Sequence, residues 1–423
     1  MGLRDDPRRR VAHLLRRAGF GAGPAELDDY VALGYDGAVE RLVEYEQRPD
    51  RLGQVAAGYD LDGEVRVPNL QRAWLEQMIA TERPLQEKMV LFLHGLLTSG
   101  APKVREHTWL WRQNQLFRRL ALGSYRELLK QIGRDPAMLD WLDGMNSRKA
   151  HPNENYAREL MELFSLGIGN YSEADVQEGA RALTGWTVER ATGAVAFRRA
   201  QHDAGPKTIF GQTGNFDDQA VVDLILGQEA GGRFVARKLL TFFLADQPDA
   251  TLVDVYAERL RRSDFELKPV VRALLGSDEF SSDAFYRAKV KSPTEYAVGL
   301  LKQLGLARPG DGFSAAMHRM GQDLFAPPNV AGWPGGRAWV STSMLLARFN
   351  GARGAIGRAD LGPLAGGTAE QAAARLVAHF LEGEAPARLR AVVRDWLAAR
   401  GTGPAGLRGA VHLIVSSPTY QLS

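Results

Sequence analysis

Arg148-Lys149-Ala150-His151-Pro152-Asn153-Glu154-Asn155-Tyr156-Ala157-Arg158-Glu159-Leu160-Met161-Glu162 gathers charges of both signs and a histidine at one helix entrance. At about 100° per residue, Glu154, Arg158, Glu162, Asn155 and Glu159 share one arc of roughly 140°. His151 projects into the same arc if the helix reaches it. Tyr156, Ala157, Leu160, Met161, Leu163 and Phe164 take the opposite arc. One helix therefore carries a packing face and a dense acid/base face. The polar face has two readings: a site, or a solvated surface laced by i,i+4 pairs such as Glu154 with Arg158.

The helical period recurs outward from there. Gly23-Pro24 opens a short helix that Gly34 closes, and Leu85, Met89, Leu93, Leu96 and Leu97 lie at helical spacing after Pro84. Pro102 starts a segment running to about Leu122. Proline at a helix start and glycine past its end are the expected punctuation. Ser172-Glu173-Ala174-Asp175 and Ser292-Pro293-Thr294-Glu295 read as capping boxes. Further helices are predicted near 231–245, 251–262, 269–276, 368–381 and 385–400.

One region breaks this period. Trp186–Glu189 and Ala194–Arg198 read as short strands around a turn at Gly193, and Lys207–Phe210 offers a third. The predicted fold is mainly α: an irregular multi-helix body, residues 1–359, with a small β-hairpin insertion near 186–210. A linker at 360–367 and a C-terminal helical segment, 368–423, packing on the body complete it. The loop Ala326–Trp339 is rich in Pro and Gly and cannot be regular, yet its two tryptophans indicate that it is pinned to something. Leu274–Phe280 and Ile414–Tyr420 share an apolar helix end, a serine and an aromatic, which reads as a repeated helix stop.

The chain has 423 residues, 45% of them hydrophobic and 24% charged, as in an ordinary globular protein. Fifty-three basic residues against 50 acidic leave +3, which gives no reason to expect nucleic-acid binding. The local cluster Arg8, Arg9, Arg10, Arg16 and Arg17 reads as a solvated helix face. No cysteine is present, which removes disulfides, thiolate metal sites and a cysteine nucleophile. No apolar run is long enough to span a membrane. The start, Met1 to Pro7, is polar and no apolar signal core follows, so the sequence as it stands reads as cytoplasmic. Removal of a leader would make it an exported protein. There is no Walker loop, no Gly-x-Gly-x-x-Gly after a strand and no Gly-x-Ser-x-Gly elbow, which disfavours common nucleotide binding and α/β-hydrolase chemistry.

The candidate chemistry centres on His151 and Glu154, joined by His202 and Asp203. Nitrogen and carboxylate ligands suit a divalent metal such as zinc, iron or manganese, with His151, Glu154 and His202 as the set. The spacing matches neither His-Glu-x-x-His nor Glu-x-x-His. Without a metal, the same carboxylates would orient His151 or His202 as a general base, and Arg158 and Lys207 would hold an anionic group. The competing reading of His202-Asp203 is a turn capped by the aspartate. His94, inside an apolar helix, reads as a core histidine, and His107 as a surface residue.

Several of these runs resemble one family. His151 to Phe164, Gln201-His202-Asp203 with Gly205-Pro206-Lys207, Lys291-Ser292-Pro293 with Glu295, and Pro327 to Gly336 are similar to the hallmarks of the bacterial family called domain of unknown function 1800. His13-Leu14-Leu15-Arg16-Arg17-Ala18-Gly19-Phe20-Gly21 resembles its opening. The resemblance covers nearly the whole chain and supplies no activity. It implies an exported protein, and as partner a protein resembling the alkaline-phosphatase superfamily. The chain departs from the pattern at Leu96, where relatives carry a second histidine after His94.

Long polar motifs raise the weight of a shared cleft. The leading expectation is an enzyme with a polar cleft acting on an anionic substrate, by hydrolysis that a metal could assist. Its catalytic residues would be His151, Glu154, His202 and Asp203. Asn153, Arg158, Glu159 and Lys207 would bind substrate, and Trp333 would form a wall. The alternative is a non-catalytic helical scaffold or partner-binding protein whose motifs are internal salt-bridge networks.

Overall fold

The computed structural model describes residues 2–61, 65–310 and 312–423. Among them it is mainly α, with 21 α-helices and four short strands. Proline takes the first position of the helices Pro7–Ala18, Pro24–Val31, Pro84–Leu96, Pro293–Gln303 and Pro404–Val415, where its missing N–H costs nothing. The two capping boxes form as read, Ser172 with Asp175 and Ser292 with Glu295.

Several boundaries differ. Gly34 opens the helix Gly34–Val43 and does not close the one before. Pro102 sits in a turn whose next two amides bond back to Gly100, so the helix starts only at His107. The helix Val67–Ala80 gave no amphipathic signal because it buries polar side chains too, among them Gln71, Glu76 and Gln77.

The β insertion is two separate hairpins. Trp186–Glu189 pairs antiparallel with Ala194–Phe197. Lys207–Ile209 pairs not with them but with Gln212–Gly214, a strand too short and polar to show an alternating pattern.

One hydrophobic cluster runs from Val11 to Tyr420 and includes Leu376, Phe380, Leu407 and Ile414 from the C-terminal helices. Leu361 is buried and Gly366 N–H reaches the Thr402 carbonyl, so the 360–367 stretch is tied to its surroundings. The repeated helix stop is real in both places: Ser277 Oγ accepts from Phe280 N–H and Ser417 Oγ from Tyr420 N–H. The tryptophan loop is pinned to the Pro84–Leu96 helix. Thr98 Oγ1 donates to the Val330 carbonyl at 2.6 Å. Gly332, at φ +77°, passes so close to that helix's C-terminal end that a Cβ there would lie 2.3 Å from the Gly95 carbonyl oxygen. Among the described residues no helix is long and apolar enough to cross a membrane.

Candidate functional site

The helix of the quoted stretch spans Glu154–Glu162, not the residues before it. Asn153 is its N-cap: its Oδ1 accepts from Asn155 N–H at 2.8 Å, and its amide donates to the Asp143 carbonyl at 2.9 Å. His151 therefore lies off the helix, exposed, in a bridge with Arg148. The reason is local, since a residue before proline is pushed out of the α region.

Tyr156, Ala157, Leu160 and Met161 are buried, as the wheel requires. The opposite face is half-exposed. Arg158 meets Glu154 at 3.2 Å and takes a bidentate grip on Glu173 at 2.7 and 2.8 Å. Glu162 accepts the Tyr171 hydroxyl. Glu159 has its carboxyl raised by burial and by the neighbouring Glu162.

The second motif stands beside the first. Lys149 N–H donates to the Gln201 carbonyl at 2.7 Å, and Gly185 N–H to the Ser147 carbonyl at 3.0 Å. The segments carrying His151 and His202, some fifty positions apart in sequence, are thus joined by backbone hydrogen bonds.

Within the second loop the polar groups face one another. Arg181 grips Asp203 through Nε at 2.7 Å and Nη2 at 3.3 Å, and holds Glu178 with Nη1. These bonds keep the Asp203 carboxyl below the usual range. Asp203 Oδ1 also accepts Gly205 N–H at 2.9 Å, the turn that the pair of residues alone suggested. Lys207 is buried and donates to the carbonyls of Asp203 and Gly205 at 2.6 and 2.9 Å. Burial lowers its pKa. His202 Nδ1 lies 3.0 Å from the Thr184 carbonyl, an oxygen that can only accept. The proton is therefore on Nδ1, and in the neutral ring Nε2 carries the lone pair.

No group of three or more His, Asp or Glu able to hold a metal ion exists among the described residues, so His151, Glu154 and His202 do not assemble as a ligand set. Trp333 rests on another centre. Its ring lies 5.5 Å from that of His94, which also packs on Trp74 and Phe325. His94 is buried and accepts Phe325 N–H at Nε2, and burial lowers its pKa to about 3, so it stays neutral. His107 is half-buried, with Nδ1 2.9 Å from the Val65 carbonyl.

The sequence reading missed a buried network of charge. Arg16 and Arg17 are not on a solvated face: they are 8% and 2% exposed. Arg17 donates to the carbonyls of Phe243 and Leu244, orphan oxygens at the end of the helix Glu229–Phe243, and to that of Phe285 from a separate segment. Arg16 pairs with Glu382 at 2.8 Å, which Arg287 reaches at 3.0 Å. Lys88 pairs with Glu295 of the second capping box. One position earlier, Glu87 turns the other way, onto Arg118. The available signal was Gln86-Glu87-Lys88, three consecutive polar residues inside an apolar helical run.

A family model described as Protein of unknown function (DUF1800) matches residues 13–422. No curated protein and no solved structure matches the chain.

Proposed function

The chain belongs to the DUF1800 family of proteins of unknown function, and we propose that it is a non-catalytic helical scaffold that binds a partner, with its polar motifs serving as internal joints. The supporting observation is that the cations expected to hold an anionic substrate are already committed. Arg158 is taken by Glu154 and Glu173, and Lys207 by two carbonyls; Arg181, which stands beside Lys207 and was not among those expected, is likewise taken by Asp203 and Glu178. A site built for an external anion leaves such groups waiting for it. The resemblance stated above supplies the class of partner to try first, a protein similar to the alkaline-phosphatase superfamily.

The enzyme reading keeps one observation in its favour. Backbone bonds place the His151 and His202 segments side by side, and the Thr184 carbonyl orients His202 with a basic Nε2. In that reading His202 is the base, and His151, Glu154, Asn153 and Glu159 contribute to the cleft.

Two variants separate the readings. Arg181→Ala strands the partly buried Asp203 and is expected to cost about 1–3 kcal/mol in urea unfolding. His151→Ala/His202→Ala is expected to unfold like the parent. Ester and phosphate-ester substrates are then offered to both proteins. Turnover by the parent that disappears in a normally folded histidine variant overturns the scaffold reading.

A further inference from the structure

Two of the motifs left without chemistry, the Arg16 helix and the Lys291–Glu295 turn, meet at one cavity. The cavity is about 30 Å³ and is lined by Arg16, Arg287, Lys291, Glu295, Glu382 and Tyr420, among others. One water needs roughly 10–15 Å³, so the space admits more than a single solvent molecule. Gly299 on the same wall lets the Phe20 carbonyl pass where a Cβ would lie 2.7 Å from its oxygen.

Buried charge of both signs lines this space. Arg16, Arg287 and Lys291 line it with Glu295 and Glu382. Both carboxylates are engaged: Glu382 by Arg16 and Arg287, and Glu295 by Lys88 and by Ser292 N–H at 2.7 Å. Neighbouring cations hold both carboxyls below their usual range, so they are ionised. Lys291 is 9% exposed and makes no ion pair among the described residues; its Nζ lies over the Tyr420 ring at 3.9 Å. Arg16 Nε is buried without a hydrogen bond. Just outside, Arg348 adds a further buried guanidinium, held by the Lys291 carbonyl and Gln421. A buried ammonium without an ion pair is costly, and an anion entering the cavity relieves it.

We infer that this cavity is a binding site for a small oxyanion, with Lys291 and Arg16 as its direct donors and Arg287 holding Glu382 aside. Burial, with the neighbouring Arg16 and Arg287 cations, pulls Lys291 down to about 7, and a bound anion restores its charge by the same linkage that binds it. The site is independent of the scaffold reading, since it lies on neither the His151 nor the His202 segment.

The test is thermal unfolding of the full chain with increasing phosphate, sulfate or acetate, each against chloride at equal ionic strength. The variants Lys291→Met and Lys291→Arg run in parallel. Methionine fills the space without charge, so this variant is expected to fold; the arginine variant keeps the donor charge. Expected is a midpoint that rises with at least one oxyanion in the parent, as mass action requires. The apparent affinity should be about tenfold or more weaker in Lys291→Met and partly kept in Lys291→Arg. The tetrahedral and planar probes distinguish phosphate-type from carboxylate-type ligands. No oxyanion-specific shift in the parent overturns the inference, and so does an equal shift in Lys291→Met. If Lys291→Met fails to fold, 15N-detected titration of the parent's Lys291 decides: an ammonium resonance that does not respond to any of the three anions overturns it.

Discussion

Glu87→Ala is expected to lower the unfolding free energy by about 3–5 kcal/mol, the cost of removing one partner of a buried ion pair. Glu87 is fully buried and Arg118 is 4% exposed. The guanidinium donates Nε to Oε1 and Nη2 to Oε2, both at 2.8 Å, the parallel fork that suits arginine. The same carboxylate accepts Trp74 Nε1 at 2.9 Å and Gln77 Nε2 at 3.3 Å. Alanine would leave all of these buried donors without their acceptor. Asn114 and Gln115 still hold Arg118 through Nη1, which keeps the charge where it is instead of letting it escape to solvent. The double variant Glu87→Leu/Arg118→Met removes both charges at similar volume and is expected to cost clearly less than Glu87→Ala, since no buried charge is left unpaired and the remaining cost is that of the Trp74 and Gln77 donors losing their acceptor. Urea unfolding followed by circular dichroism measures both. A single variant that costs less than about 1 kcal/mol would show that Arg118 finds another anion or water, contrary to the packing around it.

The same pair shows what a sequence can and cannot reveal. Signals carried by neighbours in the chain were legible: proline at helix starts, the Ser172 and Ser292 capping boxes, the buried face of Glu154–Glu162 and the Trp186–Phe197 hairpin. The departure of His151 from the helix was also local, written in Pro152. Partners from distant elements were not legible. Arg158 shows its i,i+4 glutamate in the sequence, but its tighter partner, Glu173, comes from the next helix. Arg16 and Arg17 look like solvent-facing charge until Glu382 and three carbonyls arrive from elsewhere. The adjacency of the His151 and His202 segments was anticipated as chemistry, and the structure shows it as backbone pairing. Trp333 belongs with His94, which a loop of prolines and glycines gives no means of predicting. Patterns of period 3.6 and 2 report burial, whereas the neutralisation of a charge depends on tertiary partners.

One carboxyl withdraws stability as pH rises from about 4 through about 7. Asp135 caps the helix Pro136–Trp141, accepting Met138 N–H at 3.0 Å and Gln113 Nε2 at 2.7 Å. It is 6% exposed. Burial pushes its carboxyl from the usual 3.8 up to about 7, more than its hydrogen bonds pull it down. The folded chain therefore holds a proton that the unfolded chain has already released between these two values. The stability from this group is complete below about pH 4 and is lost as pH rises through about 7. At about 1.4 kcal/mol per unit, the full loss is on the order of 4 kcal/mol by pH 9. His94 acts on the other flank. Its lowered pKa means that its contribution is present above about 6.5 and lost on acidification toward 3, so the two groups do not overlap at alkaline pH. Asp135→Asn isolates the first. Asparagine is a good N-cap, and its oxygen can accept the same two donors without ever ionising. Its unfolding free energy is expected to exceed the parent's by about 1–2 kcal/mol at pH 5 and by about 4 kcal/mol at pH 8.5. A difference that stays constant between those pH values would mean that Asp135 is ionised throughout, with a counter-charge or water reaching it despite its burial. Because the helix it caps leads directly to Asp143, whose carbonyl anchors the Asn153 cap, alkaline loosening should reach the His151 segment too. Faster amide exchange of residues 144–155 at pH 8.5 than at pH 5, after correction for intrinsic rates and suppressed in Asp135→Asn, is the local counterpart of the global measurement.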